Sequence, residues 1–184
     1  MRTLLVTGFG PFLHVSDNPS GALAQALDGV RIGSFRIVGL RLPVSYARAP
    51  AATIEAAWAH RAAAVVGFGV ASTRPDVTVE RHARRRGDPT HPDIDGRRLR
   101  RLAPRGAPDR LDATVDVEAA CAAMGAEPSA DAGGYVCNAW LYRALSALPG
   151  TPVGFVHVPA AGCDPERALR GLTAIVEGSR RWTR

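Results

Sequence analysis

The stretch "DAGGYVCNAW" (residues 131–140) sets one of three cysteines after a glycine pair and just before a helical pattern. A helix N-terminus offers free N–H groups and the positive end of the helix dipole, and both favour a thiolate. Cys137 is therefore a candidate nucleophile, with Gly133 and Gly134 allowing a sharp turn ahead of it. The competing reading is a small apolar residue that happens to pack there. Cys121 falls on the apolar face of an amphipathic pattern and reads as core, and Cys163, just before a helix cap in "AAGCDPE", is a weaker reactive candidate. Three cysteines without framework or CxxC spacing argue against a disulfide scaffold.

A cysteine nucleophile usually needs a histidine base. His157 in "GFVHVP" ends an apolar strand pattern, and in open α/β sheets the functional crevice lies beyond the carboxyl ends of strands. A hydrogen-bonded core histidine would look the same. His14, His60, His82 and His91 fall in loops or on polar faces, where solvation is expected, and their spacing matches no HExxH or zinc-finger arrangement. No metal site is expected. Glu80 closes the strand pattern "DVTVE", as an orienting carboxylate for the imidazole should. Its alternative is a surface ion pair with Arg81 or Arg84. Taken jointly, Glu80, Cys137 and His157 describe one crevice edge.

"TGFGPF" near the N-terminus carries GxG after a strand, but Pro11 follows and the third glycine of a dinucleotide loop is absent. The better reading is a turn that presents Phe9 and Phe12 as an apolar wall. Asn18, in "DNPSG", then adds an amide able to donate and accept, and Pro19 starts a helix. An apolar slot with one amide suits a small, flat, uncharged polar ring.

These residues need a scaffold, and 184 residues with 46% hydrophobic content suffice for one domain, 1–184, with an ample core. Short apolar runs alternate with helical patterns, which favours an α/β fold with a largely parallel sheet. "TLLVTGF", "FRIVGLRLP", "AAVVGFG", "DVTVE" and "PVGFVHVP" are the expected strands. Helices are expected near 49–60, with Pro50 in the first turn, and over 116–124, 138–148 and 164–178. In the last, Asp164 is the expected N-cap and Pro165 the first helical residue. The stretch from Arg84 to Asp112 breaks the pattern and reads as an irregular Arg/Pro-rich excursion, either a lid or a solvated loop.

No run of eighteen apolar residues predicts a membrane helix. The N-terminal apolar run is too short for a signal peptide and reads as a buried strand, so a cytoplasmic location and no membrane partner are expected. The formal net charge is +6, yet all 23 basic residues are arginine. The absence of lysine excludes P-loop and Schiff-base chemistry. "RHARRR" and "RRLRRLAPR" are interleaved with proline rather than base-stacking aromatics, so no nucleic-acid partner is expected.

"TGFGPF", "NPS", "TVER.A", "AGGYVCN" and "GFVHVP", in this order over residues 3–159, resemble the pyroglutamyl peptidase I family of cysteine peptidases. The resemblance implies a doubly wound, three-layer α/β/α sandwich with a mostly parallel twisted sheet. It also implies a Glu80–Cys137–His157 set, no cofactor, and Phe9, Phe12 and Asn18 lining a pyroglutamate pocket. Substrates would be N-terminally pyroglutamylated peptides. Relatives often form homo-oligomers, although no surface stripe in this sequence demands one. Val70 stands where family members have glutamine, Arg85 where they have asparagine, and Thr90 where they place an arginine near the scissile carbonyl; Arg74 is kept. A lactam-binding relative with weak or altered activity is the alternative these departures suggest.

Overall fold

The computed structural model describes residues 1–12 and 17–178, which leaves His14 outside the described residues. The elements in chain order are β1 (Arg2–Phe9), α1 (Pro19–Ala26), β2 (Arg31–Ile32), β3 (Phe35–Leu42), α2 (Arg48–Ala59), β4 (Ala62–Val70) and β5 (Thr78–Glu80). There follow β6 (His82–Arg84), β7 (Arg110–Asp112), α3 (Val117–Met124), β8 (Glu127–Ser129), α4 (Val136–Ala147), β9 (Val153–Val158) and α5 (Pro165–Gly178). All five expected strands form, as do the expected helices. Asp164 caps α5 as its sequence suggests, its Oδ1 accepting the Glu166 N–H at 2.7 Å.

Seven strands make one sheet in the order β2-β3-β1-β4-β9-β5-β8. Strands β3, β1, β4 and β9 are mutually parallel, whereas β5 runs antiparallel to β9 and β2 antiparallel to β3. Alternate residues of the central strands face opposite layers, as the two-residue repeat of a strand requires. Leu4 and Val6 of β1 pack with α1, α3 and α5, while Leu5 and Phe9 pack with α2 and α4. The result is the three-layer, mostly parallel α/β/α arrangement implied by the family resemblance. Runs such as "AAVVGFG" are apolar throughout because both faces of β4 are covered.

The α4 layer carries the chemistry, so its approach to the sheet matters. Trp140 of α4 is fully buried and donates its indole N–H to Thr53 Oγ1 of α2 at 2.8 Å. Beneath it, β4 has glycine at two successive positions on this face, Gly67 and Gly69. A Cβ at Gly67 would lie 2.7 Å from Trp140 Cζ3 and from Phe155 Cδ2, and one at Gly69 would lie 2.7 Å from Cys137 Sγ. The two glycines let α4 sit down on the sheet.

The excursion after β6 returns as β7, which pairs with β6 antiparallel. Between them, among the described residues, lies a single isolated bridge, Arg86 to Arg101. It is nonetheless tied down. Asn138 of α4 accepts the Arg84 N–H and donates to the Arg84 and Arg86 carbonyls, at 2.8–2.9 Å. Buried Asp93 accepts the N–H groups of Tyr46, Asp95 and Arg97, and the Ile94 N–H reaches the Val44 carbonyl. His82, expected in solvent, is buried because β6 pairs with β7 beneath this excursion.

Gly67→Ala should destabilise the protein by roughly 1–3 kcal/mol, because the new methyl overpacks a side-chain layer that cannot yield. Urea unfolding reads this directly, and an unchanged midpoint would show that α4 is free to lift.

Candidate active site

Cys137 is the second residue of α4, two positions further into the helix than its expected place ahead of a helix at 138–148. The preceding Tyr135 is the N-cap and makes no side-chain capping bond. The N–H groups of the first helical turn therefore remain available beside the thiol. Ala139 N–H is already turned to the Tyr135 carbonyl.

His157 faces the same layer as Phe155 and Val153, two and four residues before it on β9, and its ring packs edge-on to Phe155 at 4.9 Å. Its Cα partner on β4 is Gly69, the glycine that makes room for Cys137 Sγ. Glu80 reaches the imidazole from the other neighbouring strand. Since β5 runs antiparallel to β9, the carboxyl end of β5 does not lie on the edge formed by β1, β4 and β9, as the sequence pattern suggested. Thr78 pairs with His157, and Glu80 shares the face of Thr78 two residues on. Glu80 Oε1 lies 2.7 Å from His157 Nδ1 and 2.6 Å from an Arg74 guanidinium nitrogen.

The carboxylate is completely buried. Burial alone would raise its pKa. The hydrogen bond and charge of His157 oppose this, with help from Ser129 and Arg74, and hold the carboxyl below its usual range. Glu80 is thus an anion at neutral pH. An anionic acceptor at Nδ1 requires the proton on that nitrogen, which leaves Nε2 as the basic one.

The thiol behaves differently from the sequence-based expectation. Burial, reinforced by the Glu80 charge, pushes Cys137 up to about 12, against the smaller opposing effects of a backbone hydrogen bond and Arg74. A displacement of that size is worth roughly 4 kcal/mol. A helix N-terminus contributes only about 0.3–1 kcal/mol in ordinary settings. Desolvation wins, and the resting cysteine is a neutral thiol. Among the described residues no hydrogen bond joins it to His157, an arrangement that commonly tightens only when substrate binds.

Beside the thiol lies a cavity of about 180 Å³. Phe9, Phe12, Asn18 and Val70 line it, as does Cys137 itself. Val44, Ser72, Tyr135 and Val136 complete the lining and were not singled out from sequence. Tyr135 stands two positions before the cysteine; its ring lies 5.7 Å from that of Phe12, and its hydroxyl donates to the Pro92 carbonyl at 2.8 Å. Through that bond the excursion braces the cavity wall. Asn18 is narrower in function than expected: its Oδ1 caps α1 by accepting from Ser20 N and Oγ, leaving only its N–H donors for the cavity.

Thr90 is not brought to this cavity. It is exposed, and its hydroxyl and N–H are both engaged by Asp88 Oδ1. Arg85 likewise turns to Asp109 and the Pro104 carbonyl. Cys121, on the buried face of α3, lies in the core, and Cys163 is half-buried near the start of α5. His60 and His91 are exposed. Among the described residues, no cluster of three metal-ligating side chains occurs and no helix is long and apolar enough to cross a membrane.

An imidazole tied to a buried carboxylate, with a thiol at a helix N-terminus above the same sheet, belongs to the cysteine hydrolases. A family model described as pyroglutamyl peptidase matches residues 2–172. The pyrrolidone-carboxylate peptidase of Coprothermobacter proteolyticus is 32% identical, over 97% of this chain and 93% of its own. That of Deinococcus radiodurans is 38% identical over 87% and 79%. The solved structure of the pyrrolidone carboxyl peptidase from Thermococcus litoralis superposes with a TM-score of 0.87 at 28% identity, covering 99% of this chain and 94% of that one. The chain belongs to the pyroglutamyl peptidase family, and it is a hydrolase of the cysteine type.

A resting thiol near 12 should be alkylated slowly at neutral pH. Iodoacetamide modification of Cys137, followed by mass spectrometry, should accelerate steadily from pH 7 to 10. A rate that is already at its plateau near pH 7 would instead indicate a preformed thiolate–imidazolium pair.

Proposed function

We propose that this enzyme hydrolyses the bond following an N-terminal L-pyroglutamyl residue through a thioester on Cys137. The observation that carries the reading is the Nδ1–Oε1 contact of 2.7 Å, which frees the other imidazole nitrogen to act as base at the nucleophile.

The lactam ring enters the cavity against Phe9 and Phe12, where the Asn18 amide can donate to its carbonyl. A charged α-amino group would be desolvated there without a counter-charge, so ordinary N-termini are rejected. As Cys137 Sγ attacks the pyroglutamyl carbonyl carbon, its proton passes to His157 Nε2. The carbonyl electrons move to oxygen, and the N–H groups at the start of α4 hold the resulting oxyanion. Thr90, engaged by Asp88, adds no donor here, so these backbone groups hold the oxyanion. The C–N bond then breaks, and His157 returns the proton to the leaving amine. In the second half, His157 takes a proton from water, whose oxygen attacks the thioester. The thiolate leaves, recovers the proton, and pyroglutamate departs. Glu80 stays ionised throughout and stabilises each imidazolium.

Val70 supplies an apolar wall in place of an amide, which narrows polar recognition of the ring to fewer donors. A lactam-binding relative with weak or altered activity is not favoured, since base, orienting carboxylate and thiol are all retained. Three free cysteines suit a reducing compartment, and we place the enzyme in the cytoplasm.

A fluorogenic pyroglutamyl amide should be hydrolysed under reducing conditions, and the matching alanyl amide should not. Cys137→Ala should lower turnover by about a thousandfold or more while leaving the thermal transition near that of the parent. Turnover that survives in Cys137→Ala would contradict the mechanism.

A further inference from the structure

The arginine-rich excursion does more than brace the cavity wall. Arg84, Arg85, Arg86, Arg100 and Arg101, with Asp109, line a second cavity of about 310 Å³. The backbone forces these side chains together. Arg86 and Arg101 are partners in an antiparallel bridge, the Gly87 N–H donates to the Arg100 carbonyl, and the Leu102 N–H donates to that of Arg85.

Two of the five guanidinium groups have carboxylate partners. Arg85 bonds Asp109 through Nε at 2.9 Å, and Arg86 reaches Asp131 at 2.7 Å. Among the described residues, Arg84, Arg100 and Arg101 form no ion pair and no side-chain hydrogen bond. Like charges placed directly across a strand pair destabilise it. A fold that nevertheless converges them on a cavity gains stability when an anion fills it.

The position of this cavity indicates which anion. Asn138, immediately after the nucleophile, binds the backbone of Arg84 and Arg86 through three hydrogen bonds. From the other direction, Arg86 contacts the Asp131 side chain, and the Asp131 carbonyl accepts from the Arg74 guanidinium that also holds Glu80. The arginines thus adjoin the flank of the site that holds Glu80 and His157. The leaving amine departs on that flank, because His157 must protonate it. We propose that this cavity is a subsite for carboxylates of the peptide downstream of the pyroglutamyl residue, so that acidic peptides are the preferred substrates. The assignment deepens the peptidase reading and rests on the roles given there to Cys137 and His157.

The test compares three substrates at low and high salt: a pyroglutamyl peptide with Glu and Asp after the first residue, its Gln and Asn counterpart, and an uncharged fluorogenic pyroglutamyl amide. At low salt, kcat/KM for the acidic peptide should exceed that for the neutral one by roughly tenfold, and high salt should erase the difference. Arg84→Gln and Arg101→Gln should each reduce the ratio by roughly threefold, as expected for a partly exposed ion pair. Hydrolysis of the small amide should not change in either variant. Relief of like-charge repulsion should keep their thermal transitions at or above that of the parent. Equal rates on the two peptides, or a preference untouched by both variants, overturns the assignment. So does Arg84-dependent binding of inorganic phosphate or an oligonucleotide without peptide discrimination, which would mark a site for another anion. A parent enzyme that leaves the small amide intact removes the peptidase reading itself, and this assignment with it.

Discussion

A single buried anion organises this site. Glu80 has lost all contact with solvent, and an uncompensated carboxylate in that position would be far too costly to keep. Two partners share one of its oxygens: His157 on β9 and Arg74 in the turn before β5. Meeting them dictates much of the local architecture. Strand β5 must lie directly against β9, and the Arg74 guanidinium must also reach the Asp131 carbonyl, which anchors the segment that leads to Cys137. The carboxylate therefore orders the base directly and the approach to the nucleophile through one arginine.

The same charge has a second effect. An anion that stabilises an imidazolium destabilises a nearby thiolate, and here burial adds to that penalty until the thiol is held near 12. The helix N-terminus is too weak to reverse it. The chemistry consistent with this balance is concerted: the proton leaves sulfur as the bond to carbon forms, when the negative charge is already passing to the carbonyl oxygen. A neutral resting thiol also resists adventitious oxidation and alkylation, since the thiolate is the reactive form.

Much of this was legible in the chain. The apolar runs marked the five principal strands, and capping and amphipathic patterns marked α3, α4 and α5. The residues Glu80, Cys137 and His157 stood out because two end strand patterns and one opens a helix. Strand direction was not legible: nothing in "DVTVE" reveals that β5 reverses against β9. The balance of forces on Cys137 was also hidden, because desolvation depends on Gly69, Phe155 and the sheet below, all distant in sequence. Gly67 and Gly69 were visible as glycines within a strand, a pattern that signals close approach, yet the partner could only be learned from packing. Polarity alone placed His82 in solvent, whereas pairing with β7 buries it. For Asn18, residue type suggested a free amide whose oxygen local capping had already engaged, and Thr90, marked by the family resemblance, is held by Asp88 instead.

The central claim is that ionised Glu80 fixes the proton on His157 Nδ1 and leaves Nε2 as the base. Nitrogen and proton NMR of the imidazole in the resting enzyme reports this directly. The account predicts that the neutral imidazole carries its proton on Nδ1, hydrogen-bonded and slowly exchanging, with Nε2 bare, and that this proton signal is lost in Glu80→Gln. A resting imidazole protonated at Nε2, with Nδ1 accepting a proton from a neutral Glu80, would contradict it.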